Sequence, residues 1–221
     1  MKRAILMSIQ PQWLEKILNR EKLIEIRKTM PKCELPIDVY LYCTKTKPFL
    51  YGYYGESDDA EGFGYAASYC PTENLNGKIV AKFTLNTLKK VYCERLNNGV
   101  GYDYYYEFEY GTSIAEEASI LDWSDYINFC SENELYNYLG YKDRPEKVGY
   151  AWYIDNLEIF NVPMELSDFY KTNALSYDNW LYGLYNGTSE YSYKQYLMGF
   201  QLRKVPQSWQ YVYVNKFNER R

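Results

Sequence analysis

The chain has 221 residues, 47% apolar and 24% charged, a composition that excludes a disordered tail and suits a globular protein able to bury a core. Its formal net charge of -4 excludes a wholesale grip on nucleic acid, which is built from clustered Lys and Arg, and leaves room only for a local basic cleft. The complete lack of histidine excludes Ser-His and Cys-His dyads, the facial-triad iron site and the HExxH zinc site, so any catalysis rests on Lys, carboxylates, Tyr, Cys or Ser.

Tyrosine is the unusual residue. With 28 Tyr, 9 Phe and 5 Trp the aromatics reach 19%, which implies half-buried surface, interfaces or ring-stacking platforms, or else loops that use Tyr as filler. The five cysteines, Cys33, Cys43, Cys70, Cys93 and Cys130, are odd in number and show no C-x-x-C spacing. That pattern argues against a disulfide framework and a zinc ribbon, and for buried thiols in a reducing cytoplasm with neither metal nor cofactor. The apolar run behind Lys2 and Arg3 stops at Ser8 and Gln10, so no signal peptide is expected, and no stretch reaches membrane-spanning length.

In chain order, residues 4–9 alternate weakly and predict a strand. Pro11 stands where the first helical turn tolerates it, because its missing N–H would be unpaired there anyway. Trp13, Leu14, Ile17 and Leu18 recur at helical spacing and give a short helix with one apolar stripe, ended by Asn19 and Arg20. In residues 22–28 strand parity sends Ile24 and Ile26 to the core and projects Glu25 and Arg27 from the opposite face, with Lys22 at the turn before them. Residues 38–44 follow Pro31 and Pro36 as a strand apolar on both faces, hence central in its sheet, and Lys45 and Lys47 come after it.

Residues 49–76, rich in Tyr, Gly, Ser and Asp without a period, read as a long inserted loop. Residues 77–85 alternate as a strand, and residues 97–112 form a second Tyr/Gly stretch, a loop or an edge hairpin. Ser113 with Glu116, and Ser131 with Glu134, have capping-box spacing, and Gly140 closes the second of these helices. Residues 149–154 and 157–162 read as strands, Pro163 starts a one-turn helix reaching residue 169, and residues 206–214 end the fold with an alternating strand. The economical architecture is α+β, a small mixed or closed β-barrel with short flanking helices, in one domain over 1–221 with loop insertions at about 49–76, 97–112 and 170–198.

The segment Arg20-Glu21-Lys22-Leu23-Ile24-Glu25-Ile26-Arg27 resembles the ASCH domain, a member of the PUA-like superfamily, whose pattern is a strand, a Pro-led helix and then G-x-K-x-x-E-x-R entering the second strand. Lys22, Glu25 and Arg27 match; Arg20 stands where the family has glycine. Ser8 to Trp13, Tyr40 to Lys45, Gly77 to Val80, Pro163 to Phe169 and Pro206 to Trp209 are similar, in the same order, to longer phage-type members. The resemblance covers most of the chain but not the three Tyr-rich insertions. It implies a PUA-like barrel with a cleft edged by Lys22, Glu25 and Arg27, and an association with RNA or modified bases. Some small ASCH members resemble amidohydrolases of N4-acylated cytidines that use a Lys, a Thr and a Glu, and Glu25 occupies the Thr position.

From spacing alone, Lys22, Glu25 and Arg27 make a solvated salt-bridge stripe. As a cleft edge they acquire roles: Glu25 holds Arg27, Arg27 offers a planar fork to a phosphate or base edge, and Lys22 supplies a point charge or, if desolvated, a catalytic base. Gln207, Ser208 and Trp209 are either ordinary strand-start residues or the opposite wall, with Trp209 stacking a base whose edge Gln207 and Ser208 read. Lys45 is a solvated cation or a phosphate contact, and Trp13 reads as core.

The leading expectation is a cytoplasmic binding module for RNA, single-stranded DNA or a modified nucleoside. The alternative is a small amidohydrolase with Lys22 and Glu25 as catalytic residues. A third reading is a scaffold that binds a protein partner through its Tyr-rich loops.

Overall fold

Six buried residues in succession, 4–9, leave the first strand, β1 (Lys2–Ile9), with no solvent face, so it lies inside its sheet. β3 (Ile37–Cys43) pairs with it in parallel, Ile5 opposite Val39 and Ile9 opposite Cys43. β12 (Trp209–Val214) pairs with it antiparallel, Ala4 opposite Val212. A parallel neighbour requires a crossover, and residues 10–36 supply it through α1 (Pro11–Leu18) and β2 (Ile24–Arg27). The computed structural model describes residues 1–57, 60–69, 74–97, 102–108, 132–140, 147–173, 177–185 and 192–214.

The chain forms two compact units, the first from Met1–Glu15, Ile37–Phe83 and Leu157–Arg221, the second from Lys16–Pro36 and Thr84–Asn156. In the first, a six-stranded sheet runs in the order β10 (Asp155–Met164), β6 (Ile79–Leu85), β3, β1, β12, β11 (Phe169–Lys171). Parity brings Ala4, Leu6, Tyr40, Tyr42, Val212 and Val214 to one core, completed by Ile79, Met164, Phe169 and Leu202. Tyr40 meets Phe169 edge-on, with ring centroids 5.0 Å apart. Pro163 lies within β10, and the expected one-turn helix is a shorter 3-10 turn, Leu166–Asp168.

The expected loop at 49–76 contains a hairpin instead, β4 (Phe49–Ser57) against β5 (Ala60–Ser68), with Gly52 opposite Tyr65 and Gly64 opposite Tyr53. The glycines that read as breakers make room for rings: a Cβ on Gly52 would lie 2.4 Å from the Phe63 ring. Within 170–198, α3 (Tyr177–Tyr185) and α4 (Tyr193–Met198) form, and Ser192 and Gln195 cap the second reciprocally.

The second unit holds a four-stranded sheet in the order β2, β9 (Gly149–Tyr153), β7 (Leu88–Asn97), β8 (Tyr102–Phe108). The stretch 97–112 thus contributes an edge strand. Ile24 and Ile26 pack with Val91 and Ala151 against Leu135, Tyr136 and Leu139 of α2 (Glu132–Leu139). Gly140, at φ +78°, closes that helix, its N–H donating to the Tyr136 and Asn137 carbonyls. The predicted helix at Ser113 and Glu116, and the cap residue Ser131, lie outside the described residues.

The β-rich, helix-poor character agrees with the expected α+β fold. The strands lie in three sheets, however, and no closed barrel is seen among the described residues. No helix among the described residues is long and apolar enough to cross a membrane.

Candidate ligand-binding site

Arg20 ends α1 in the left-handed region, φ +62°. Its N–H donates to the Ile17 carbonyl at 3.0 Å, and the N–H groups of Glu21 and Lys22 both donate to the Lys16 carbonyl, at 2.9 and 3.1 Å. This is the Schellman closure, which satisfies carbonyls that a helix end otherwise leaves unpaired. Arg20 therefore holds, at a cost of roughly 1 kcal/mol, a conformation glycine adopts freely, at the position where the resembled pattern carries glycine. The turn delivers Lys22 to the foot of β2.

Parity placed Glu25 and Arg27 on the face opposite the isoleucines, as a stripe open to water or as a cleft edge. They are not a stripe open to water: they are buried, at 8% and 7% exposure, and Lys22 is 1% exposed. The correction has a physical source: alternation reports which face a side chain takes, not whether that face is covered. Glu25 Oε2 lies 3.4 Å from Lys22 Nζ, and Glu25 Oε1 lies 3.2 Å from Arg27 Nε. The second approach is an ion pair without the angle of a directed hydrogen bond. One carboxylate thus serves two cations, leaving the trio with a surplus positive charge.

Trp152, fully buried, stands directly opposite Glu25 across the β2–β9 pair. Such an apolar wall keeps the local dielectric low and makes every charge here expensive. Burial accordingly pushes the Lys22 ammonium below its ordinary value; Glu25 opposes this, and the positive charges of Arg27 and Lys16 add to it.

Tyr138 of α2 belongs to the same cluster, although the sequence reading did not single it out. The Arg27 guanidinium donates to its hydroxyl oxygen, and Lys28 Nζ lies 5.0 Å from its ring centroid. Burial raises its phenol above the ordinary value, with Arg27 opposing and Glu25 reinforcing the shift. The only sequence signal was its i+3 spacing from Leu135, which puts it on the helix's inward side.

Lys45 and the segment Gln207, Ser208 and Trp209 belong to the first unit. Lys45 is exposed, and its aliphatic stem runs over Gly77, where a Cβ would meet Lys45 Cε at 2.7 Å. Ser8 ties down the other segment: its N–H donates to the Ser208 carbonyl at 2.9 Å and its Oγ to the Pro206 carbonyl at 2.7 Å. Gln207 is exposed, and Trp209 opens β12 opposite Met7, its ring edge-on to Tyr211 at 5.5 Å. Among the described residues no group of three His, Cys, Asp or Glu side chains is placed to hold a metal ion.

Among solved structures, the chain is similar to the crystal structure of ASCH from Zymomonas mobilis, at 12% identity and a TM-score of 0.45 over 98% of this chain and 90% of that one. It is similar also to a Tyr-to-Phe variant of that protein, at 11% identity and a TM-score of 0.42 over 97% and 92% of the two chains. A Ser-to-Ala variant matches at 10% identity and a TM-score of 0.41 over 96% and 89%. No family model and no curated protein matches the sequence.

Proposed function

We propose that the protein is a binding module for a nucleobase-bearing ligand, an RNA or DNA single strand or a modified nucleoside, recognised by Lys22, Glu25 and Arg27. One observation carries this reading: three ionisable side chains are buried on and beside a four-residue strand, with the Glu25 carboxyl group between the Lys22 amine and the Arg27 guanidinium. Packed apolar residues would generally be no less stable than such a buried set, so its worth lies in what it can hold. Arg27, fixed by Glu25, offers a planar fork suited to a base edge or a phosphate, and Lys22 offers a compact donor. The net charge of -4 limits binding to this local cluster and keeps its salt dependence shallow.

The test is titration of labelled single-stranded RNA, single-stranded DNA and N4-acetylcytidine at two salt concentrations. Arg27→Gln should weaken the bound ligand roughly tenfold or more, the worth of one bidentate contact. Unchanged affinity in that variant would remove the cluster from binding.

A second reading is favoured by the lowered Lys22 ammonium. A neutral Lys22 can take a proton from water as its oxygen attacks an N4-acyl carbonyl; the C–N bond then breaks and the cytosine amine receives the proton back. Turnover of N4-acetylcytidine that disappears in Lys22→Ala would establish this chemistry, and binding without turnover would leave the module.

A further inference from the structure

We infer that Arg27, Lys28 and Tyr138 form an anion subsite at one end of the cluster, so that the ligand is a nucleotide or nucleic-acid strand whose phosphate sits there, not a free nucleoside. The inference rests on the nucleobase-binding reading and adds the ligand's second chemical group.

The cluster is electrically uneven along its length. Lys22 and Glu25 oppose one another at one end. At the other, Arg27 and Lys28 follow each other in sequence, and alternation alone would send them apart. Tyr138 gathers them: its hydroxyl accepts from the guanidinium and its ring face attracts the Lys28 ammonium. Tyr138 is itself half-buried, packed against the core that contains Leu135, Leu139, Ile24 and Ile26. A neutral phenol therefore fixes two cations around one ring, and three cations face a single carboxylate over the whole cluster.

Glu25 Oε1 approaches Arg27 at Nε, 3.2 Å away, and Tyr138 engages the same guanidinium. A planar guanidinium beside an ammonium is a usual combination for phosphate oxygens, the first suited to directed bonds and the second supplying a point charge. Because Lys28 is exposed while Arg27 is buried, the subsite spans from the interior to the surface.

The test compares the four ribonucleosides with their 5′-monophosphates by calorimetry, in the wild type, Lys28→Ala, Tyr138→Phe and, as a control for general charge, Lys32→Ala. The expected result is at least one monophosphate binding tenfold or more tightly than its nucleoside. That ratio should fall to within about twofold in Lys28→Ala and Tyr138→Phe, with nucleoside affinity holding in Lys28→Ala, and should persist in Lys32→Ala. A wild-type ratio near one would overturn the anion subsite and leave the nucleobase reading standing. A ratio lost equally in Lys32→Ala, or kept in both subsite variants, would also overturn it. Failure of both ligand classes to bind would remove the inference and the underlying reading together.

Discussion

Glu25 Oε2 lies 3.4 Å from Lys22 Nζ inside the protein, and this pair sets how the cluster responds to pH. Glu25→Gln removes the charge that holds the Lys22 proton, so the folded-state value falls further below the 10.5 of the unfolded chain. Between those two values the unfolded chain keeps the proton and the folded chain does not, so stability rises with pH there. The variant should lose about 3–5 kcal/mol at pH 7, the cost of a broken buried pair, and the deficit should narrow as pH climbs from the variant's Lys22 value to the wild type's, which burial already holds below 10.5. Urea melts of variant and wild type at each pH measure it. A deficit indifferent to pH would mean that Lys22 is not the group left uncompensated.

Arg20 holds a left-handed backbone at φ +62° as the closing residue of α1. Arg20→Gly should therefore raise stability by up to about 1 kcal/mol, the relief of strain exceeding the added chain entropy. Arg20→Val, branched at Cβ, should lower the melting temperature. Equal melting temperatures for the two variants would show that this turn does not strain its residue.

Asn76 joins four backbone and side-chain groups: Oδ1 accepts from Leu50 N–H at 2.9 Å and from Cys43 Sγ at 3.5 Å, and Nδ2 donates to the Thr46 and Pro48 carbonyls at 2.7 and 3.2 Å. Asn76→Ala strands these partners and should cost about 2–3 kcal/mol. Asn76→Asp keeps the acceptor but not the donor, and should fall between the two in a thermal melt.

Cys43 is buried, and desolvation pushes its thiol from 9.0 up to about 12, whereas Cys33 is half-buried. The thiolate is the reactive species, so Cys43 should hold about a thousandth of the ordinary thiolate fraction at neutral pH. Brief iodoacetamide treatment of the native protein, read peptide by peptide, should modify Cys33 at least a hundredfold faster than Cys43, and equally in denaturant. Comparable native rates would place Cys43 at the surface. The sign for stability is the reverse of that for Lys22: the folded state keeps a proton that the unfolded state loses, so this contribution falls as pH rises from 9.0 toward 12.

Much of this was legible in the residues. The strand apolar on both faces at residues 38–44 identified one central strand, seen as Ile37–Cys43, because a strand covered on both sides can be apolar throughout, whereas residues 4–9 were legible as a strand but their weak alternation did not show that both faces are covered. Parity found that Glu25 and Arg27 share a face, and Pro11 marked the start of α1. Their burial was not legible, since what covers them is specified far along the chain, with Trp152 and Tyr138 in a strand and a helix of their own. The hairpin at Phe49–Ser57 and Ala60–Ser68 was hidden because its glycines serve ring packing across strands, whereas in a single stretch of sequence a glycine reads as a breaker.

β1 lies between a partner at residues 37–43 and one at residues 209–214, with Lys2 opposite Val214. During synthesis this places assembly in a fixed temporal order. The described strands of the second unit are all complete once residue 153 has emerged, whereas β1 has only one neighbour until residue 214 follows. At about 5–20 residues per second, translation leaves that apolar strand with a bare edge for roughly nine to thirty-five seconds after β3 is made. The nascent chain therefore passes through a stage in which an apolar strand edge is available to chaperones or to other nascent chains, and β12 ends that exposure.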